Sequence, residues 1–540
     1  MKEQSVSKGF AILSAANILV KILSFLYIPF LLGILKEEGY GIYMAANSVY
    51  VFIYVLANSG LPVAISKLVA ELVAEGNIKD AIRSFKIARS YLIIAGIVLG
   101  ILLAATADPI SYAIKYPQAK LAILGLAPAL LFTSISSAYR GLFQGFGNMT
   151  PTAVSQVIEQ IVNTICTLLF AYLLYNKYKL FGYSYAIVYA CAGGTIGTSV
   201  AAFSSAVYLL IAKARLKLDS TSGTDFPQTI RRSYDLLAKK IVEYSIPITM
   251  SVGLIYAGNL IDTWNIKSRL IVAGFTPENA TIMFGQLSRY ISLMNVPIAI
   301  ITSLSAAIFP AIASAVATKN HKLVQNRINY TFKVCLMISI PAAVGLSLLS
   351  KPIYGVLKFG NGYELMMYGA IVLIFMSIVQ IQNSILQSSG KLFQVVPNLF
   401  IGILIKIVSN YVLIARPEIN IYGALIGSSL GYIVPIILNH LLIKNSLKIK
   451  IKIKRSLFST ILAAIAMTLS VSIAYFGMQA IFYASSTKYV FLLVSLFISI
   501  AVGGATYLVV LPATGGLTEE DLRIVPSRIR KYIKVRHKKD

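Results

Sequence analysis

Long apolar segments, separated by short polar connections, occupy most of this 540-residue chain. Each segment is about 20 residues or longer, the length of a helix that crosses a bilayer, whereas a membrane-spanning strand needs only about 10 residues. Hydrophobic residues make up 57% of the sequence and charged residues 13%. A soluble protein of this size cannot bury so much apolar surface. Because lipid offers no partners to backbone polar groups, we predict an all-α, polytopic membrane helical bundle.

Fourteen segments are long and apolar enough to be predicted spans. The first contains Lys21 and is too long for the apolar core of a cleavable signal peptide, so we interpret it as a retained span. An even number of spans places both ends of the chain on the same side of the membrane. The predicted ranges are 10–35, 41–63, 88–108, 119–141, 152–175, 183–212, 241–263, 280–316, 331–350, 364–388, 393–415, 421–443, 456–483 and 489–512.

The lysines and arginines of the connections divide unequally between the two sides of the predicted bundle. One side has 34 of them, including Arg140 at the end of the fourth span, and the other side has 11. Since basic residues are retained on the cytoplasmic side, we predict cytoplasmic N- and C-termini in a bacterial cytoplasmic membrane. We therefore interpret the net charge of +28 as the sum of basic connections that contact anionic membrane lipids. Nucleic acid is not a predicted partner, because no recognition motif accompanies the charge.

An internal repeat relates residues that are 243 positions apart. Each copy contains six predicted spans, so the copies share one orientation, as in transporters that bind substrate between two parallel repeats. We predict a first lobe at 1–212, a linker at 213–240, a second lobe at 241–443, two further spans at 444–512 and a basic cytoplasmic tail at 513–540. The repeated residues include Asn77 and Asn320, Lys79 and Lys322, Pro109 and Pro352, Lys115 and Lys358, Gln144 and Gln387, and Gly147 and Gly390.

Three basic residues, Lys21, Arg289 and Lys406, lie deep inside predicted spans. A charge at the bilayer centre costs roughly 3 kcal/mol on insertion scales, so each needs a partner or a water-filled cavity. Cations around a central cavity would bind an anion such as a pyrophosphate, since arginine binds phosphate oxygens with two hydrogen bonds. The alternative is a side chain that extends to the interface or forms a structural ion pair. Near the end of the seventh span, Lys267 and Arg269 are predicted as interfacial residues or as the outer rim of that cavity.

Glu159 in the fifth span and Asp262 at the end of the seventh are the acidic candidates. Either would bind a coupling cation or proton, or would pair with a basic side chain for structural reasons, and both interpretations stay open. No metal site is predicted, because the three cysteines and three histidines have no ligand-like spacing. The sequence contains no phosphate-binding loop for ATP, and no cofactor is expected.

Three stretches carry a family resemblance: SAANILVKILSFLYIPFLLGILKEEGYGIY, YRGLFQGFGNMTPTAVSQVIEQIV and NLIDTWNIKSRL. They resemble the polysaccharide-biosynthesis and oligosaccharide-flippase branch of the MOP superfamily, above all the stage V sporulation protein B group, which is related to the lipid II flippase MurJ. The resemblance implies two six-helix lobes around a cationic cavity, with the last two spans forming a groove for a lipid tail. It also implies that Lys21 and Arg289 correspond to basic residues of that cavity.

Together these features predict an alternating-access flippase that moves a lipid-linked oligosaccharide or peptidoglycan precursor, carried on undecaprenyl pyrophosphate, across the membrane. A cation-coupled multidrug exporter of the MATE type is the first alternative. A membrane-embedded sugar-lipid transferase and a non-transporting scaffold of envelope assembly are the others. An enzyme is disfavoured, because no connection is long enough for a catalytic domain and no cluster of catalytic acids or histidines is present.

Overall fold

The computed structural model describes residues 6–215, 232–317, 320–449, 451, 454–481 and 488–516. Over these residues the chain forms eighteen α-helices joined by short turns, and they contain no strand. The predicted all-α class is confirmed. The helices are α1 (Val6–Leu26), α2 (Ile28–Asn58), α3 (Gly60–Ala74), α4 (Ile78–Ala105), α5 (Ala107–Ala113), α6 (Lys120–Gly145), α7 (Thr150–Tyr178), α8 (Tyr183–Arg215), α9 (Tyr234–Val272), α10 (Pro277–Ala317), α11 (His321–Leu348), α12 (Ser350–Val356), α13 (Tyr363–Gly369), α14 (Val372–Ser388), α15 (Leu392–Leu413), α16 (Gly423–Leu447), α17 (Lys454–Ile481) and α18 (Lys488–Ala513).

Most of these helices are long and apolar enough to cross a membrane. Within the described residues, twelve helical segments meet that condition, and the pair α13 and α14, bent by 53°, makes a thirteenth. Helix α1 adds a shorter apolar stretch, Ile12–Leu26. These segments occur in the same order along the chain as the predicted spans, so the multi-pass membrane fold is confirmed. Most of the predicted linker and nearly all of the predicted tail lie outside the described residues.

The first predicted span, 10–35, is interrupted. Helix α1 ends at Leu26, and α2 begins at Ile28 with Pro29 in its first turn. Proline lacks the N–H that would continue α1, and its ring clashes with the carbonyl four residues earlier, which explains the interruption. Inside α2, Lys36 has φ 59° and ψ −176°. The helix therefore kinks one residue beyond the predicted end of the span.

The bounds of the helices confirm the predicted internal repeat. Adding 243 to the first and last residues of α4 and of α5 gives the first and last residues of α11 and of α12. Adding 243 to the ends of α6 gives the start of α13 and the end of α14. Over the stretches 78–145 and 321–388, neither copy has therefore gained or lost a residue relative to the other.

Equivalent residues of the two copies also have equivalent local roles. Asn77 caps α4 by accepting a hydrogen bond from the backbone N–H of Asp80, at 3.1 Å. Asn320 caps α11 in the same way, through the N–H of Leu323 at 3.0 Å. Such caps satisfy donors that the first helical turn leaves unpaired. Positive φ angles are likewise shared by two further equivalent pairs, Gly147 with Gly390 and Lys115 with Lys358.

Backbone contacts divide the chain into two compact units. The first comprises Met1–Ser288 with Ala415–Pro417, and its apolar core draws on α3, α4, α6, α8 and α9. The second comprises Arg289–Ile414 with Glu418–Asp540, and contains a core of α10, α11, α14, α15 and α16 together with the pair α17 and α18 packed on α11 and α12. Helix α9 packs along α2 and α3 of the first unit. The predicted lobes were defined by the internal sequence repeat, whereas these two units are defined by backbone contacts. The boundaries of the predicted lobes therefore stay a prediction.

Replacing Asn77 or Asn320 by alanine is expected to destabilise the protein, because each change removes a helix cap worth about 1 kcal/mol. Asn77→Ala should have the larger effect, since the Asn77 amide also donates to Asp80 Oδ2 at 2.9 Å. The measurement is the midpoint of thermal unfolding of each variant in one detergent. Midpoints equal to that of the parent in both variants would contradict the capping role.

Candidate functional site

A polar cavity of about 180 Å³ lies within the first unit, between α1, α6, α7 and α8. Seven of its nine lining residues have polar side chains. Polar groups are expensive inside a membrane bundle and mark binding sites or pathways there, which makes this cavity the candidate functional site. The polar lining consists of Asn17, Arg140, Gln156, Glu159, Gln160, Asn163 and Thr198, and the apolar remainder of Val20 and Ala201.

Arg140 and Glu159 form an ion pair in the wall of the cavity. Arg140 Nη2 lies 2.6 Å from Glu159 Oε2. The guanidinium also donates from Nε to Ser155 Oγ at 2.9 Å and from Nη2 to Ser205 Oγ at 2.8 Å. Since the two side chains of the pair are 16% and 28% exposed, they are largely withdrawn from solvent yet reachable from the cavity. One guanidinium thereby connects α6, α7 and α8.

Close packing of α7 and α8 supports the opposite side of the wall. A Cβ atom on Gly197 would collide with the backbone of Thr167, so only glycine permits this approach of the two helices. At this contact, Asn163 Oδ1 accepts hydrogen bonds from the hydroxyls of Thr167 and Thr198, each at 3.1 Å. These bonds satisfy polar groups that lipid cannot and hold the Asn163 amide at the cavity.

Lys21 lies on α1 four residues after Asn17, a residue of the cavity wall. Residues four apart share one face of a helix, so Lys21 follows Asn17 on the same face of α1. Lys21 is exposed and is not one of the lining residues. Its role in substrate binding stays a prediction.

Arg289 has a different environment, in the second unit. It is 0% exposed, and its Nη2 donates to the backbone carbonyl of Asn361 at 3.1 Å. Asn361 belongs to the turn between α12 and α13, where Gly360 and Gly362 have φ angles of 71° and 101°. In this conformation Arg289 stabilises the turn, and a ligand would reach it only after that contact opens. Its role in substrate binding stays a prediction.

The other predicted site residues also lie away from the cavity lining. Lys406 is half-buried on α15, where its Cβ lies against Gly431 of α16. Arg269 is half-buried and Asp262 is buried, both on α9. Of the predicted site residues, the cavity lining contains Glu159 and does not contain Lys21, Asp262 or Arg269. The roles predicted for all of these residues stay predictions.

Lys267, predicted with Arg269 as an interfacial residue or part of a cavity rim, is only 3% exposed. Its Nζ lies 3.9 Å from the centre of the Tyr116 ring, in a cation–π contact. The lysine also interacts electrostatically with Glu38 of α2 and Glu278 of α10. Lys267 therefore connects helices within the protein.

Sequence reasoning counted Arg140 among the residues that set the topology and missed it as a site residue. In the structure Arg140 lies on α6 and forms the ion pair in the cavity wall. A signal was present: only four residues (146–149) join α6 to α7, so the two helices are antiparallel neighbours. Glu159 is the one acid of α7, and an acid inside a span needs a cation nearby.

The amides of the cavity wall were also missed. Gln156, Gln160 and Asn163 are spaced four and three residues apart on α7. This spacing places them on one helix face, as a polar stripe along an otherwise apolar helix. The stripe could have indicated a polar interior face, whereas the partner helices that close the cavity could not be predicted from it.

Comparison with known proteins places the chain in a family. Residues 6–316 match the family described as Polysaccharide biosynthesis protein. The chain belongs to this family. It is 29% identical to the lipid II flippase MurJ of Bacillus subtilis (strain 168), over 93% of this chain and 94% of that protein. Stage V sporulation protein B of the same organism is 27% identical, over 97% of this chain and 98% of that protein. The resemblance stated from the sequence is thus confirmed.

Solved structures share the fold of this member of the polysaccharide biosynthesis family. A multidrug resistance MATE family transporter of the MOP superfamily, in an inward-facing conformation, superposes with a TM-score of 0.61 at 15% identity, over 81% of this chain and 98% of that chain. A MOP superfamily transporter from Pyrococcus furiosus, described as having a binding pocket of reverse polarity, gives 0.58 at 17% identity, over 83% and 97%. At these identities the likeness establishes the fold, which is that of MOP superfamily transporters.

Arg140→Gln is expected to lower the free energy of unfolding by about 2 kcal/mol, because hydrogen bonds to charged groups contribute roughly 1.5–3 kcal/mol and Glu159 is left without this cation. Glu159→Gln should have a similar effect. The double variant should lose less than the sum of the two single losses, since the residues act as a pair. Chemical unfolding in detergent measures all three, and additive losses would contradict a coupled ion pair.

Proposed function

We propose that this protein is an alternating-access flippase. It moves a lipid-linked oligosaccharide or peptidoglycan precursor, carried on undecaprenyl pyrophosphate, across the bacterial cytoplasmic membrane. The observation that carries the proposal is the similarity to a lipid II flippase over nearly the whole of both chains. Similarity over 93% of this chain and 94% of that protein supports a function shared by the two chains as a whole and not by one segment.

Cations inside the bundle supply the chemistry that the proposal needs. A pyrophosphate carries negative charge that has to cross an apolar layer, and lysine or arginine in a low-dielectric site stabilises it strongly. Lys21 is exposed and lies one helical turn after Asn17, a residue of the cavity lining. In the proposal, Lys21 makes the first contact with the pyrophosphate, and Arg289, Lys406 and Arg269 bind it in other conformations of the transport cycle.

The orientation of the protein belongs to the same proposal. The unequal distribution of basic residues favours cytoplasmic N- and C-termini, with the basic connections at the anionic lipid surface. The head group then enters from the cytoplasm, where such precursors are made, and the polyprenyl chain stays in the lipid. A coupling cation or the membrane potential would drive the return of the empty protein.

A cation-coupled exporter of the MATE type is the second hypothesis. It is favoured by the carboxylate of Glu159 in a polar cavity, since an acid inside a bundle is a typical site for a proton or a sodium ion. The two hypotheses predict different ligands. A flippase binds a lipid pyrophosphate, and an exporter of this type binds a soluble organic cation.

Purified parent protein is expected to bind lipid II, and Lys21→Ala to weaken that binding at least tenfold. Tenfold corresponds to about 1.4 kcal/mol, a modest loss for a charge-assisted hydrogen bond. Arg289→Ala is measured beside it, and Lys86→Ala, which removes an exposed lysine near the start of α4, is the matched control. Unchanged binding in folded Lys21→Ala protein would refute the role of Lys21. A parent that binds ethidium-like cations and no lipid pyrophosphate would favour the exporter.

A further inference from the structure

The two copies of the repeat use different chemistry at equivalent places in the bundle interior. At the offset of 243, Arg140 corresponds to Asn383 and Ser155 to Asn398. In the second copy, Asn439 donates to Asn383 Oδ1 and accepts from Asn398 Nδ2, both at 2.9 Å. These three amides connect α14, α15 and α16, as Arg140 connects α6, α7 and α8. A charged residue is therefore not required to join the three helices at this place.

The carboxylate of the first copy has no counterpart at the equivalent position of the second. Glu159 corresponds to Gly402, on helix α15. A Cβ atom on Gly402 would collide with Pro435 and would lie 2.5 Å from the carbonyl oxygen of Gly431. Helices α15 and α16 thus touch where α7 and α8 leave space for a carboxylate. The repeated fold does not by itself demand an opening here.

On α7, three of the four polar lining residues have apolar or glycine counterparts in the second copy, and the fourth, Asn163, corresponds to Lys406. Gln156 corresponds to Leu399 and Gln160 to Ile403. Apolar residues at these positions are compatible with the helix packing of the second copy. The amides and the charges of the first copy consequently exceed what the structure of the repeat requires, which indicates that they serve a ligand.

The composition of the lining indicates the class of that ligand. The opposite charges of Arg140 and Glu159 compensate each other, and the rest of the polar lining consists of amides and one hydroxyl. These groups offer donors and acceptors together. Among the described residues, the buried Oε1 of Gln156 accepts no hydrogen bond. Such a mixture suits a neutral molecule with several hydroxyl groups better than a simple ion.

The size of the cavity limits the ligand to one ring. Pockets for drug-sized molecules have roughly 300–1,000 Å³, whereas this cavity has about 180 Å³. It can hold a part of a head group and not the whole. Lys21, one helical turn after the lining residue Asn17 on α1, would bind a phosphate attached to that ring.

We propose that the cavity is a sugar site: it binds one sugar ring of the lipid-linked head group while Lys21 binds the adjoining phosphate. The inference rests on the proposed flippase function and adds the place at which the sugar is recognised. A site that hydrogen-bonds hydroxyl groups discriminates against a ligand that lacks them. The protein would thereby distinguish a sugar-bearing carrier from the bare carrier lipid.

The test compares two probes, lipid II and undecaprenyl pyrophosphate without sugar, for binding to the full-length protein in lipid nanodiscs. Gln156→Ala and Gln160→Ala are expected to weaken lipid II binding about tenfold, or about 1.4 kcal/mol. Binding of undecaprenyl pyrophosphate should change less than twofold. Asn176→Ala, which removes an amide from α7 outside the cavity lining, is the matched control and should leave both affinities unchanged. Lys21→Ala should weaken both probes.

Three outcomes would overturn the sugar site. The first is unchanged lipid II binding in folded Gln156→Ala and Gln160→Ala proteins. The second is an equal loss for both probes, and the third is thermal stabilisation of the parent by sodium chloride that both variants abolish, which would make the cavity a cation site. A parent that binds neither probe would overturn the flippase function as well. If the alanine variants do not fold, Gln156→Asn and Thr198→Val are measured against the same criteria.

Discussion

Inside a bilayer, every polar group of the protein must find its partner within the protein, and this constraint governs the whole chain. It requires the backbone to be helical across the membrane, and the described residues accordingly form helices and short turns. It also applies to side chains. Arg140 meets it with Glu159 and two serines, and Lys267 with the ring of Tyr116. Where such a group faces a cavity, a ligand can supply the hydrogen bond or the opposite charge that the group needs. Polar side chains that stabilise the fold and polar side chains that bind a ligand therefore answer the same physical requirement.

Much of the architecture could be predicted from the sequence, because hydrophobic segments and internal repeats can both be recognised from the order of the residues. The spans, their order and the offset of 243 follow from the positions of apolar residues and of a few identities, such as Asn77 with Asn320. Detail within a span could not be predicted in the same way. The non-helical conformation of Lys36 depends on local backbone geometry that no periodicity reports. Helix pairing, which brings α9 against α2 and α3, depends on contacts between residues far apart in sequence.

The site illustrates a sharper limit of sequence reasoning. A charge deep inside an apolar segment is easy to recognise, and Lys21 and Arg289 were selected for that reason. Depth in a span does not tell whether a side chain meets a cavity or a backbone carbonyl, and Arg289 proves to be fully buried against Asn361. Conversely, Arg140 sits near a helix end and was assigned to the topology, although the tertiary fold places it beside Glu159. Proximity to a span end therefore does not tell whether a basic side chain lies in the wall of a cavity.

The contact of Gly402 with Gly431 and Pro435 gives the two duplicated halves unequal evolutionary freedom. In the first half, one substitution of Glu159 is enough to remove the carboxylate. In the second half, a carboxylate at position 402 would first need α16 to retreat, which requires coordinated changes at several positions. Packing at Gly402 therefore makes a carboxylate easier to lose from the first half than to introduce into the second.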